Sequence, residues 1–178
     1  ADVTLISGPV ELTPPEKCKF IPVKTASAML DVVKTEIAEK DIFISTAAVA
    51  DYQAAEICLQ KIKKTPNALT LNLKPTIDIL ATIGQMDEPK PLIVGFSAET
   101  ADVFRFAQEK RLKKGADLMI VNDVSQLGIG FDSDENEVTI LSQDAPVYLE
   151  RAPKKIIAKQ LLEIIAQHVT KKKSLHLM

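Results

Sequence analysis

Ile42-Phe43-Ile44-Ser45-Thr46-Ala47-Ala48-Val49-Ala50-Asp51-Tyr52 decides the fold. From Ile42 to Ala50 every residue is apolar or small, with none of the apolar–polar alternation of a half-exposed strand. A run of this kind reads as a strand buried on both faces, as in a parallel sheet covered by helices. Pro91–Gly95 and Leu118–Val121 are further compact apolar runs of the same type, and Val3–Ile6 and Phe20–Val23 are shorter ones. Helix-period segments lie between them. After Thr25 or Ser27, either of which can cap, Ala26, Met29, Leu30, Val33 and Ile37 recur at helical spacing. Thr76 can cap a short helix through about Met86, and a helix from about Ala101 to Lys114 stops at Gly115. Two strands, Glu137–Leu141 and Val147–Glu150, precede a last helix from Pro153 to about Thr170, with Lys171-Lys172-Lys173 as a solvated, fraying end.

Strand–helix alternation of this kind predicts an α/β, Rossmann-like, doubly wound and mainly parallel sheet. Residues 51–74 break the rhythm, because no helix pattern joins their strands. Leu69, Leu71 and Leu73 alternate with Thr70 and Asn72 as a half-exposed strand would, so this stretch reads as a hairpin-like excursion. There are no internal repeats and no dividing linker, which predicts a single domain over 1–178.

Composition excludes several classes. With 178 residues, 46% of them hydrophobic, the chain can bury a core, and a net charge of −2 argues against a general nucleic-acid binder. No apolar run reaches the roughly 18 residues a membrane span needs. Cys18 and Cys58 have no partners at metal-ligand spacing, so a disulfide framework and structural zinc are disfavoured and a reducing cytoplasm is the default.

In open parallel sheets, ligands bind beyond the carboxyl ends of the strands. Ala47, Ala48 and Ala50 let a flat ligand approach the backbone, and Asp51 offers a carboxylate; close packing and a turn explain the same residues equally well. Lys61-Ile62-Lys63-Lys64 carries ammonium groups that can close over a polyphosphate, or form a solvated surface. Asp78 can carry a magnesium ion with its phosphates, or complement a helix dipole beside the Thr76 cap. The stripe Val103, Phe106, Ala107 continues at helical spacing to Lys110 and Lys114, two inward lysines that either snorkel from a last turn or reach a charged ligand. Gly128–Asp134 reads as an acidic turn, and His168 as a structural histidine. No Walker loop, G-x-G-x-x-G or catalytic triad is present. The collected lysines, carboxylates and small residues suit a nucleoside triphosphate with Mg²⁺.

Ala47-Ala48-Val49-Ala50-Asp51-Tyr52, Lys61-Ile62-Lys63-Lys64, Gly95-Phe96-Ser97-Ala98-Glu99-Thr100 and Asn122-Asp123-Val124-Ser125, preceded by Ser7-Gly8-Pro9-Val10, form an ordered set across essentially the whole chain. This set resembles the phosphopantothenate–cysteine ligases, also called phosphopantothenoylcysteine synthetases. The resemblance implies a step of coenzyme A biosynthesis in which CTP activates 4′-phosphopantothenate as an acyl-cytidylate and cysteine then displaces CMP. It further implies that Ala47, Ala48, Ala50 and Asp51 face the nucleoside, that Lys61 is catalytic, and that Thr76, Ile77, Asp78, Ile79, Phe96, Lys110 and Lys114 complete the nucleotide site. Asp78 takes the metal-facing role, with Ile77 where the family commonly has proline. The implied partners are a second copy of the chain, with the excursion bringing Lys61 near it, and in many bacteria a fused upstream decarboxylase, the only place for FMN. The family pattern also begins with a strand, a phosphate-contacting segment and a helix before the position of Ala1, so the resemblance implies a ligase domain lacking that part. Two other readings remain: a Rossmann-like oxidoreductase binding NAD or flavin, and a non-catalytic nucleotide-binding or dimerisation fragment.

Overall fold

Strand β6 (Leu92–Glu99) is the middle of the three parallel strands that organise the larger part of the molecule. It is seen in a computed structural model, described for residues 1–64, 68–99, 103–123 and 133–175. The chain divides into two compact units, Ala1–Val33 with Ala47–Ile79, and Lys34–Thr46 with Leu80–Met178.

In the larger unit, β3 (Ile42–Ser45) and β7 (Leu118–Asp123) flank β6 in parallel, and β8 (Glu135–Leu141) and β9 (Val147–Pro153) continue the sheet antiparallel beyond β7. The α/β, Rossmann-like expectation holds, with an antiparallel hairpin closing one side of the parallel core. Helix α4 (Lys154–Leu175) lays Ile157, Leu161 and Ile165, one turn apart, on Leu92, Val94, Leu118, Ile120, Val138 and Ile140. The alternate residues Ile93, Met119 and Val121 are buried as well, which is why these strands read as continuous apolar runs. Each such side chain contributes about 1.5–3 kcal/mol by leaving water.

Glycines mark the closest approaches. A Cβ on Gly95 would lie 2.5 Å from Leu80 Cδ2 and 3.2 Å from the Met119 sulfur. A Cβ on Gly84, at the end of α2 (Ile79–Gly84), would strike the carbonyl oxygen of Lys114, the last residue of α3 (Val103–Lys114). Gly115 ends α3 as expected, at φ +64°, where L side chains are strained.

In the smaller unit β1 (Thr4–Ser7) pairs in parallel with β2 (Lys19–Pro22). Helix α1 (Ala26–Glu36) starts where Thr25 Oγ1 accepts the Ala28 N–H at 3.1 Å, which makes Thr25 the cap. The excursion is an antiparallel hairpin of β4 (Tyr52–Ala54) and β5 (Leu73–Pro75).

Several expectations are corrected. The nine-residue strand from Ile42 stops at Ser45; among the described residues β3 bonds β6 alone, and its side chains are half-buried or exposed, because it lies at the end of its sheet. Leu69 and Leu71 belong to no strand and, like Leu73, are exposed, since alternation without a packing partner gives the chain nothing to bury. The Lys171–Lys173 tail does not fray. Helix α4 continues to Leu175, and the three lysines meet Asp144, Asp117 and Asp41 at 2.8, 3.2 and 2.7 Å. His168 is half-buried, with its Nδ1 2.9 Å from the Ile164 carbonyl. The Gly128–Asp132 part of the acidic turn lies outside the described residues.

Candidate functional site

In the smaller unit, one backbone hydrogen bond gathers much of the expected nucleotide site. The Thr76 N–H donates to the Asp51 carbonyl at 2.8 Å, extending the β4–β5 ladder by one step. This joins the loop carrying Ala47, Ala48, Ala50 and Asp51 to Thr76, Ile77, Asp78 and the start of α2 at Ile79. Ala47, Ala48 and Ala50 are exposed in an irregular loop braced by the Val49 N–H donating to the Ala47 carbonyl at 3.0 Å. With methyl side chains at the exposed positions Ala47, Ala48 and Ala50, that loop leaves peptide groups accessible to a ligand.

Thr76 does not cap α2. Its Oγ1 is buried and has no hydrogen-bond partner among the described residues. A buried hydroxyl without a partner costs about 1–3 kcal/mol, and an acceptor supplied by a ligand would relieve it. Asp78 is an exposed carboxylate immediately ahead of α2. Among the described residues no three metal-ligating side chains gather at one point. Lys61 lies in the exposed stretch between β4 and β5, with Lys63 and Lys64.

The larger unit holds the remaining expected residues. Phe96, half-buried on β6, packs against the core cluster toward the carboxyl end of the parallel strands. Lys110 is corrected: it is exposed, and the inward residues of α3 are Ala107 and Arg111, at 0% and 5% exposure. The expected stripe holds at Ala107, but Phe106 stays exposed and the inward face continues to Arg111 in place of Lys110. Arg111 takes the inward place by spending its guanidinium locally, Nε on Gln108 Oε1 at 3.1 Å and Nη1 on the Ala116 carbonyl at 3.4 Å. Lys114 is half-buried. The pair therefore does not share an inward face.

One polar contact at the carboxyl end of β7 had no sequence signal, since its members are far apart in the chain. Asn136 Oδ1 accepts the Glu137 N–H at 3.0 Å, which turns its Nδ2 to donate to Asn122 Oδ1 at 3.3 Å. The amide of Asn122 is thereby oriented with its oxygen toward β8. Val124 and Ser125 of the same motif, and Thr100 after β6, lie outside the described residues.

A parallel β3–β6–β7 core, carrying its polar motifs at the carboxyl ends of the strands, defines a Rossmann-like α/β protein. The chain belongs to the DNA/pantothenate metabolism flavoprotein C-terminal domain family, whose model matches residues 1–169. It is 41% identical over 167 residues to the coenzyme A biosynthesis bifunctional protein CoaBC of Vibrio vulnificus (strain CMCP6), covering 93% of this chain and 42% of that protein. The chain thus spans less than half the length of this relative. The crystal structure of the C-terminal domain of a coenzyme A biosynthesis bifunctional protein CoaBC superposes with TM-score 0.78 at 32% identity, covering 96% of this chain and 76% of that one. A Cab2 variant in complex with phosphopantothenate-cysteine shares the fold at TM-score 0.65 and 20% identity, over 89% of this chain and 56% of that one. Among the described residues no helix is long and apolar enough to cross a membrane.

Proposed function

We propose that this chain ligates cysteine to 4′-phosphopantothenate at the expense of CTP. The carrying observation is the ordered motif set, Ala47–Tyr52, Lys61–Lys64, Gly95–Glu99 and Asn122-Asp123, in a chain of the pantothenate-metabolism family. In the first step a carboxylate oxygen of 4′-phosphopantothenate bonds to the α-phosphorus of CTP and pyrophosphate leaves. In the second, the cysteine amine bonds to the acyl carbon, CMP leaves, and the amine gives up a proton. Neither step needs a nucleophilic side chain; both need positioning and charge neutralisation.

The roles follow the chemistry of each group. Ala47, Ala48, Ala50 and Asp51 supply a low shelf for the nucleoside, and Thr76 an unused hydroxyl beside it. Lys61 supplies mobile positive charge for the phosphates. Asp78 would hold Mg²⁺, whose chemistry when bound is to neutralise the triphosphate. Ile77 and Ile79 flank that carboxylate, Phe96 walls the nucleotide, and Lys110 and Lys114 add charge from α3. The exposed apolar side chains of the excursion, Ile57, Leu59, Leu69 and Leu71 among them, suit a second copy of the chain as partner. The relative's bifunctional name supports a fused flavin-dependent decarboxylase in the full-length protein. The free thiols of Cys18 and Cys58 suit a reducing, cytoplasmic setting.

The test is pyrophosphate release from CTP and 4′-phosphopantothenate by the encoded full-length protein. Lys61→Gln is expected to abolish release while leaving the melting temperature unchanged. Undiminished release would remove Lys61 from its role, and a thermal shift with NAD or FMN but not CTP would overturn the ligase reading.

A further inference from the structure

At the opposite end of the main sheet from Phe96, where β3 and β6 begin, there is an open cavity of about 450 Å³. All of its lining belongs to the larger unit: the turn after α1, the connection from α2 to β6, and the last turns of α4. Ile37, Met86, Leu92 and Val169 make an apolar floor. Lys40, Lys90, Lys172 and Lys173 stand around it, against one lining carboxylate, Asp41.

Three of these ammonium groups, those of Lys90, Lys172 and Lys173, are held in place. Lys90 Nζ donates to the Gly84 carbonyl at 2.8 Å, and Lys172 Nζ to the Pro91 carbonyl at 3.1 Å, with both side chains only 18% exposed. A carbonyl orients an ammonium without cancelling its charge. Lys90 has Glu88 at 3.8 Å, Lys172 has Asp117 at 3.2 Å, and Lys173 has Asp41 at 2.7 Å. Lys40 makes no ion pair among the described residues. Each ammonium carries three donors, so the partners named above leave N–H groups of Lys90 and Lys173 uncommitted and all of those on Lys40.

We propose that this cavity binds a small amphiphilic anion: a carboxylate, sulfonate or phosphate ester on a compact apolar body. The apolar floor supplies burial and the lysine rim supplies charge; the volume is within the roughly 300–1,000 Å³ usual for small-molecule sites. An apolar ligand without the anion leaves the rim unused, and an inorganic anion leaves the floor unused. Lysines act as point charges and accept any of these oxyanions. The site is separate from the carboxyl ends of β6 and β7 and does not rest on the ligase reading.

The test is titration of the full chain with 1-anilinonaphthalene-8-sulfonate, followed by fluorescence and by amide chemical shifts. Saturable binding at one site is expected, with shifts centred on Asp41, Lys90, Leu92 and Lys173. N-phenyl-1-naphthylamine, the same body without the sulfonate, is expected to bind about tenfold more weakly, and Lys40→Glu to weaken only the sulfonate, also about tenfold. Met86→Glu, at an exposed position on the floor, is the second variant and is expected to weaken the sulfonate by a similar factor. Equal affinity for the two probes, sulfonate binding undiminished in both variants, or shifts confined to the β4–β5 hairpin would overturn the proposal. Either variant alone decides it if the other does not fold.

Discussion

Ile120 and Leu59 are both large aliphatic residues, yet one is 0% exposed in the middle of β7 and the other 94% exposed between β4 and β5. Around Ile120 every neighbouring strand and helix contributes an apolar side chain, so the backbone is fixed by burial. Around Leu59 the chain is fixed by a short ladder, Tyr52 to Pro75 through Ala54 to Leu73, and by the Thr76–Asp51 bond beyond it. The first region is stable because of what it hides. The second presents apolar surface and lysines that its own unit leaves uncovered, which is the composition of a contact surface and not of a core.

The most disruptive way to break this contrast is to empty the core. Ile120→Ala is expected to cost about 2–5 kcal/mol, whereas Leu59→Ala should stay within about 0.5 kcal/mol; urea unfolding of both variants checks the difference. Next is Gly84→Ala, whose new methyl meets the carbonyl of Lys114 and the backbone of Gly115. Backbone cannot step aside as a side chain does, so a loss of about 1–3 kcal/mol is expected, read as a lower melting temperature. Thr76→Val sharpens the contrast from the other side. Replacing a buried hydroxyl without a partner by a methyl should raise stability by about 1 kcal/mol and lower nucleotide affinity in calorimetry; an unchanged affinity would show that the hydroxyl meets no ligand. Leu59→Ser with Leu71→Ser should leave stability unchanged but shift sedimentation toward a single copy. The smallest effect is at Asp144. The hydrogen bond and charge of Lys171, aided by His168, hold its carboxyl below the ordinary range. Its contribution is therefore present above the unfolded carboxylate value and lost as pH falls through the lower folded one. Asp144→Asn should flatten the stability profile below about pH 4, measured by thermal melts across pH.

Legibility in the sequence followed the same division. Val94 and Ile120 announce themselves because burial on both faces leaves an unbroken apolar run, Ile140 because it alternates with Thr139, and Gly115 because a positive φ ends α3. Leu69, Leu71 and Leu73 show a period that nothing in their unit answers, so alternation there misled. On α3 the apolar residues Phe104 and Phe106 pointed away from the true inward face, which is held by Ala107 and an arginine. A guanidinium satisfied by Gln108 and Ala116 has no hydrophobic signature. The motif residues were legible as an ordered set, but the bond between Asp51 and Thr76 spans a hairpin whose length no local pattern sets.

The end of α4 has a consequence of its own. Successive helix residues project about 100° apart, so Lys171, Lys172 and Lys173 sweep about 200° of azimuth. They are met by Asp144 from the β8–β9 connection, Asp117 from ahead of β7, and Asp41 from ahead of β3. Three bearings at different compass points stop the cylinder from turning about its own axis. Losing any one lysine leaves two bearings in place, whereas deleting a single residue between Ile165 and Lys171 would rotate all three away from their acids at once.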